Sequence, residues 1–158
     1  MTPLETEIDA LLTHYYAHFS AMDFAAARRV WDTAEPHPCY LAEEIDDFLR
    51  DWPAIEAYWA TSQATMSKLL SRHWALRAQQ IADDLATATW RLHWNAQIVG
   101  QNKPVGGEVR ATAVLRRRAE GWRLFHYVEA PLAPILYIRQ LYEGQVDPGF
   151  GAASPRCA

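Results

Sequence analysis

Five side chains in this 158-residue sequence have types and spacing suited to proton transfer: His73, His126, Arg77, Glu44 and Tyr58. A histidine exchanges a proton near neutral pH, and burial moves its pKa readily. An arginine can hold a carboxylate, phenolate or enolate oxygen while negative charge develops, and Tyr58 can assist it. A glutamate enclosed by apolar groups has a raised pKa and serves as acid or base. Glu44 fits that role, and it fits equally a surface charge in the acidic run Glu43-Glu44-Ile45-Asp46-Asp47.

Around these groups the chain is rich in large rings, with seven tryptophans. A buried indole carries one N–H donor that needs a partner, which makes it an awkward filler for an ordinary core. Rings converging from helices and sheet would wall a cavity for a flat guest. Trp90, Trp94, Tyr40, Trp31, Tyr15, Trp59, Leu124 and Val128 are the candidate lining residues. A Trp-rich core or a subunit interface accounts for the same composition.

The elements that must position these groups follow from periodicity. Leu4, Ile8, Leu11, Leu12, Tyr15 and Phe19 recur at helical steps, with Thr2 as N-cap and Pro3 in the first turn, so a helix is expected over 3–20. Asp23 caps a second helix carrying Phe24, Ala27, Val30 and Trp31, which Glu35-Pro36-His37-Pro38 ends. Tyr40–Ile45 reads as a short strand with Tyr40 and Glu44 on one face, and Asp51 caps a third helix holding Ile55, Tyr58 and Trp59. Strands are then expected at Ser71–Ile81, Leu85–Val99, Glu108–Arg117 and Gly121–Glu129, followed by a helix at Ile135–Tyr142. Residues 1–143 form a single domain in this reading, and 144–158, rich in Gly, Pro and Ala, form a flexible tail. Helices followed by long antiparallel strands are the α+β pattern.

Strand alternation sorts the faces. The inner set is Ala86, Ala88, Trp90, Leu92, Trp94 and Ala96, then Val109, Ala111, Ala113 and Leu115, then Trp122, Leu124, His126 and Val128. If Asp83-Asp84 is a two-residue turn, His73 opposes Trp94, Arg77 opposes Trp90, and both point inward. A bulged turn reverses that and turns Trp74 inward. Val114, Phe125 and Tyr127 fall on the outer face with Arg91, His93, Asn95, Arg110 and Arg123, a mixture that suggests a subunit contact.

Composition narrows the function classes. The net charge of −4 argues against nucleic-acid binding. Two cysteines without metal-ligand spacing give no support for a structural metal. The first residues lack the layout of a signal peptide and no apolar run is long enough to span a bilayer, so a cytoplasmic protein is expected.

The order and spacing of these pieces resemble the nuclear-transport-factor-two-like superfamily, also called SnoaL-like, over about residues 5–142. The resemblance rests on Asp51–Trp59, on Ser71-Arg72-His73, on Ile81–Ala86, and on Gly121–His126. It implies a cystatin-like cone, in which N-terminal helices pack on a strongly curved antiparallel sheet and acid–base residues stand inside. The dehydratase branch also uses a histidine at the first long strand, which favours the inward reading of His73. Related isomerases carry their base near Glu44. Two positions depart from the known enzymes: Phe19-Ser20 stand where scytalone dehydratase has a Tyr-Asp pair, and Ala113 stands near the second aspartate of ketosteroid isomerase. The resemblance implies a cofactor-independent lyase, dehydratase or isomerase for an aromatic or polyketide-like molecule, acting as a homodimer. The same fold also serves non-catalytic binding modules for aromatic ligands and accessory subunits of ring-hydroxylating oxygenases.

Overall fold

The computed structural model describes residues 1–132, 139 and 142–145. Helix α1 (Pro3–Ser20) is closed at its start by a reciprocal cap: Thr2 N–H donates to Glu5 Oε2 at 2.8 Å and Glu5 N–H donates to Thr2 Oγ1 at 3.2 Å. Its buried stripe is Ile8, Leu12, Tyr15 and Tyr16. Helix α2 (Phe24–Arg28) stops before Val30 and Trp31, earlier than expected. There the backbone leaves the helix to pair with Leu124, which accepts from Asp32 N–H at 2.7 Å and donates to Val30 C=O at 3.1 Å. Unpaired groups beside the sheet edge outcompete one further helical turn. Strand β1 (Cys39–Leu41) follows, then α3 (Trp52–Thr65), capped by Asp51, whose carboxylate accepts from Ala54 N–H at 2.8 Å.

The sheet is built from β1, β2 (Met66–Ala82), β3 (Leu85–Ile98), β4 (Val105–Arg118) and β5 (Gly121–Pro131), in the order β1-β5-β4-β3-β2. It is mixed rather than wholly antiparallel, because β1 runs parallel to β5. Two strands start earlier than expected. β2 leaves α3 directly at Met66, and β4 begins at Val105 and includes Gly106 and Gly107. Gly106 is required there, because a Cβ would stand 2.7 Å from both Asn95 Oδ1 and the Trp94 carbonyl, and Gly107 lets the Trp94 ring lie close, at 3.3 Å from where a Cβ would be.

The ladder breaks decide which side chains enter the cone. Asp83-Asp84 is the expected two-residue turn, with Ala82 opposite Leu85. One irregularity then falls between Gln80 and Ala82, and a second between Trp74 and Arg77. Each extra residue on β2 reverses the alternation. Arg77 lies between the two breaks, opposite Thr89, and faces solvent, which corrects its inward placement. Beyond the second break the two reversals cancel. His73 lies opposite Leu92 and faces α1, inward as expected although two residues from its expected partner. Ala75, at the second break, has φ +55°, a left-handed conformation costly for a residue with a Cβ.

Strand β5 has a single break. Leu115 lies opposite Leu124, but Val114 lies opposite His126, so Phe125 is the extra residue. From there on the alternation stays reversed. Tyr127, opposite Ala113, and Glu129, opposite Ala111, point inward. His126 and Val128 stand on the other face, as does Thr112, the partner of Val128. The inward placements of His126 and Val128 and the outward placement of Tyr127 are therefore corrected.

The core lies between α1, α3 and the concave side of the sheet and includes Ile8, Leu12, Trp31, Ile55, Trp59, Trp90, Leu115, Leu124 and Tyr127. No helix among the described residues is long and apolar enough to cross a membrane. Most of the expected helix at 135–142 and the tail after it lie outside the described residues.

Candidate active site

The inner face of β5 brings a carboxylate into the aromatic interior. Tyr127 is 1% exposed, and its ring meets Tyr15, Trp31, Tyr40 and Trp90 at centroid separations of 5.4–6.4 Å, with Tyr40 stacked on it at 17°. Each such pair contributes about 0.5–1.5 kcal/mol beyond the area it buries. Two residues on, Glu129 is half-buried. Small Ala111 and Ala113 on β4 leave the width that these two side chains occupy.

A directed hydrogen-bond chain ends on Glu129. Trp90 Nε1–H donates to Tyr16 Oη at 2.8 Å, the Tyr16 and Tyr127 hydroxyls are 3.1 Å apart, and Tyr127 O–H donates to Glu129 Oε1. The indole can only donate and an ionised carboxylate can only accept, so every hydroxyl between them points toward Glu129. The second carboxylate oxygen accepts from Glu43 N–H at 3.3 Å. Burial penalises the charged form more than these bonds stabilise it, and Glu44 and Glu43 add repulsion. The Glu129 pKa is raised from 4.5 to about 7.

The turn after β1 supplies two further glutamates. Glu43 accepts from Trp94 Nε1–H at 2.5 Å, and burial raises its pKa. Glu44 accepts a hydrogen bond from the Tyr58 hydroxyl of α3. Glu44 lies in the turn beyond the three-residue β1, not on the strand itself, and is exposed. Burial, followed by the Glu44 charge, raises the Tyr58 pKa. Burial likewise raises those of Tyr15, Tyr16, Tyr40 and Tyr127, so these phenols act as neutral donors.

The expected site residues therefore divide. Trp90, Trp94, Tyr40, Tyr58 and Glu44 meet in this network, directly or through one ring contact. Tyr15, Trp31 and Trp59 form the aromatic layer behind it, and Leu124 is fully buried at its base. His73 is inward, but its Nε2–H is engaged by Asp9 Oδ1 of α1 at 2.9 Å, with its ring 5.6 Å from that of Tyr16. Arg77 donates to its neighbour's carbonyl, Leu76 C=O, at 2.9 Å. His126 is outside, its pKa lowered by burial and then by Arg50. Sequence reasoning missed Glu129, Tyr127, Tyr16 and Glu43. Tyr16 lies four residues after Leu12 and eight after Ile8, a legible signal. Glu129, set between Val128 and Ala130, was visible only as a charge in an apolar strand. Among the described residues, no three His, Cys, Asp or Glu side chains are grouped to hold a metal ion.

A curved mixed sheet wrapped by N-terminal helices, with its polar groups inside, defines the cystatin-like, NTF2-like class of α+β folds. The profile of the SnoaL-like domain family matches residues 8–134, and the chain belongs to that family. Similar solved structures include a candidate aromatic ring hydroxylase from Novosphingobium aromaticivorans, with TM-score 0.74 and 17% identity over 85% of this chain and 94% of that one. A candidate dehydratase of the NTF2-like family from Streptomyces avermitilis has TM-score 0.70 and 18% identity over 82% and 96%. A cystatin-like protein from Caulobacter vibrioides has TM-score 0.67 and 15% identity over 88% and 96%. At these identities the likeness is one of fold. No curated protein matches the sequence.

Proposed function

We propose that this chain is an acid–base enzyme, a lyase of the dehydratase kind or an isomerase, acting on an aromatic or polyketide-like small molecule inside the cone. The observation that carries the reading is Glu129, a carboxylate with a pKa of about 7 at the end of a one-way donor chain and walled by aromatic rings. A group poised near neutral pH takes a proton and returns it with little free-energy cost in either direction. The Trp90–Tyr16–Tyr127 chain holds the carboxylate in one orientation and stabilises it when the proton leaves. The surrounding rings accept a flat guest and exclude water, which strengthens each polar contact. No step in this reading calls on a cofactor.

The test is turnover. Hydroxylated aromatic and polyketide-like compounds would be screened by absorbance and mass change, with Glu129→Gln as the control. Loss of about a hundredfold or more in kcat supports the reading. Turnover in Glu129→Gln equal to wild type overturns the assignment, and tight binding with every compound recovered unchanged favours a binding module. The proposal includes pairing of two copies through the outer sheet face. There Trp74 is 39% exposed and Phe125 lies beneath Arg116. Sedimentation equilibrium would measure that pairing.

A further inference from the structure

Two tryptophans on one strand each lead to a different oxygen of Glu129. Trp90 and Trp94 stand four residues apart on the inner face of β3. The Trp90 branch runs through the Tyr16 and Tyr127 hydroxyls to Oε1. The Trp94 branch runs through a single residue. Trp94 Nε1–H donates to Glu43 Oε1 at 2.5 Å, and the Glu43 backbone N–H donates to Glu129 Oε2 at 3.3 Å. The indole N–H groups of Trp52, Trp59 and Trp122 are buried and find no acceptor, so packing alone does not bring an indole N–H to a partner in this molecule.

The local structure is arranged around the Trp94 contact. The strand order β1-β5-β4-β3 sets Trp94 and the turn after β1 on opposite sides of β4 and β5, so the bond crosses the concave side of the sheet. Gly107 lies opposite Trp94 on β4, and a Cβ there would stand 3.3 Å from Nε1, Cε2 and Cζ2 of the indole. The missing side chain lets the donating edge of the ring lie close against β4. Glu43 itself lies beyond Leu41, where the β1–β5 ladder ends, so no strand pairing fixes its backbone.

We propose that Trp94 is a positioning residue: by anchoring the Glu43 side chain it holds the Glu43 backbone N–H on Glu129 Oε2. This rests on the reading of Glu129 as the proton-transferring group and deepens it by naming a residue that governs when Glu129 carries its proton. Glu43 acts on Glu129 in two opposed ways. Its N–H donates to the carboxylate and favours the charged form, whereas its own carboxylate repels that charge and favours the neutral form. The N–H contributes the more of the two. An indole suits the anchoring role because it is a donor only and carries no charge. It fixes Glu43 as acceptor without the cation that an arginine would bring beside Glu129.

Glu129 is faced from the turn after β1 by Glu43 and Glu44, from β1 by Tyr40, and from α3 by Tyr58. Helix α1 contributes Tyr15 and Tyr16, and β5 itself contributes Tyr127. The phenols titrate far above neutrality, so a change near pH 7 belongs to the glutamates.

The experiment is a carbon-13 NMR titration of the glutamate side-chain carboxyls in the full chain, with Glu129→Gln identifying the Glu129 signal. It needs no substrate. Trp94→Phe keeps the ring and removes the donor. It should raise the Glu129 pKa by about half a pH unit, a modest change because the N–H it frees is held at 3.3 Å. Gly107→Ala, which crowds the same edge of the ring, should raise it less. Glu43→Gln keeps the backbone donor and an acceptor for the indole but removes the charge, and should lower the Glu129 pKa. A residue that only supported the fold would not give opposite signs at Trp94 and Glu43. The proposal is overturned if Trp94→Phe leaves the Glu129 midpoint at its wild-type value or lowers it, or if Glu43→Gln raises it. Should Trp94→Phe not fold, Gly107→Ala and Glu43→Gln decide by the same signs. Turnover unaffected by Glu129→Gln, in the separate assay above, removes the proton-transfer reading, while the shifts among these variants still decide the role of Trp94.

Discussion

Asp32 and Glu129 are both carboxylates drawn largely out of water, and they end in opposite states. Asp32, 3% exposed, accepts from Arg118 Nη2 at 2.7 Å and from Arg116 Nη1 at 3.3 Å, while Arg116 also meets Glu35 at 2.5 Å. Burial would raise its pKa, but the arginines outweigh burial and the pKa is lowered. Glu129 has only phenol, amide and like-charged neighbours, and burial wins. The desolvation is alike in kind at both sites, and the choice of partner decides the outcome. Asp32 joins the loop after α2 to β4 as a permanent anion, whereas Glu129 can change its charge near neutral pH.

The largest effect expected from breaking this contrast is on chemistry: Glu129→Gln should lower kcat by about a hundredfold to ten-thousandfold and leave the fold intact. Next is Asp32→Ala, which strands the two arginines and should cost roughly 2–4 kcal/mol in urea denaturation, held below a fully buried pair by the exposure of Arg118.

The pH dependence of stability should separate the two sites by sign. Folded Glu129 holds its proton up to about pH 7, while the unfolded chain releases it near 4.5. Between those values the folded state binds more protons. Stability should therefore fall as pH rises through that window, by on the order of 3 kcal/mol, and level off above it. Glu129→Gln should remove that decline. Asp32, with its pKa below 3.8, contributes stability present above that value and lost as pH falls through the lowered pKa. Asp32→Asn should flatten only this acid limb. Urea midpoints measured across pH for both variants would show each effect.

At the small end, Ala75→Gly should raise stability by up to about 1 kcal/mol by relieving the left-handed backbone, as thermal unfolding would show. His126→Ala should change turnover less than about twofold, because the ring lies on the far side of the sheet from Glu129. A large loss would mean that the β5 register is wrong.

Most of the fold was legible in the sequence because its signals are local. Thr2 with Glu5, Asp51, and Asp83-Asp84 fix helix starts and a turn through contacts within a few residues. The inner faces of β3 and β4 follow from uninterrupted alternation of Ala86, Ala88, Trp90 and Leu92 against Val109, Ala111, Ala113 and Leu115. The site was less legible because it depends on where ladders break, and a bulge is stabilised by curvature across the whole sheet rather than by its own residues. Nothing in Leu124-Phe125-His126 marks Phe125 as the supernumerary residue. His73 came out on the expected face only because two breaks cancel, and Arg77, between them, did not.

The lone extra residue at Phe125 decides which half of β5 supplies the site. Flattening the bulge with Phe125 kept would let the earlier register continue, setting His126 against Ala113 and Val128 against Ala111, where Tyr127 and Glu129 now stand, whereas removing Phe125 would leave those two in place. A phenol–carboxylate pair would give way to an imidazole–alkyl pair without a single substitution. In a sheet whose two faces carry different chemistries, one bulge gained or lost rewrites a site more completely than any point change.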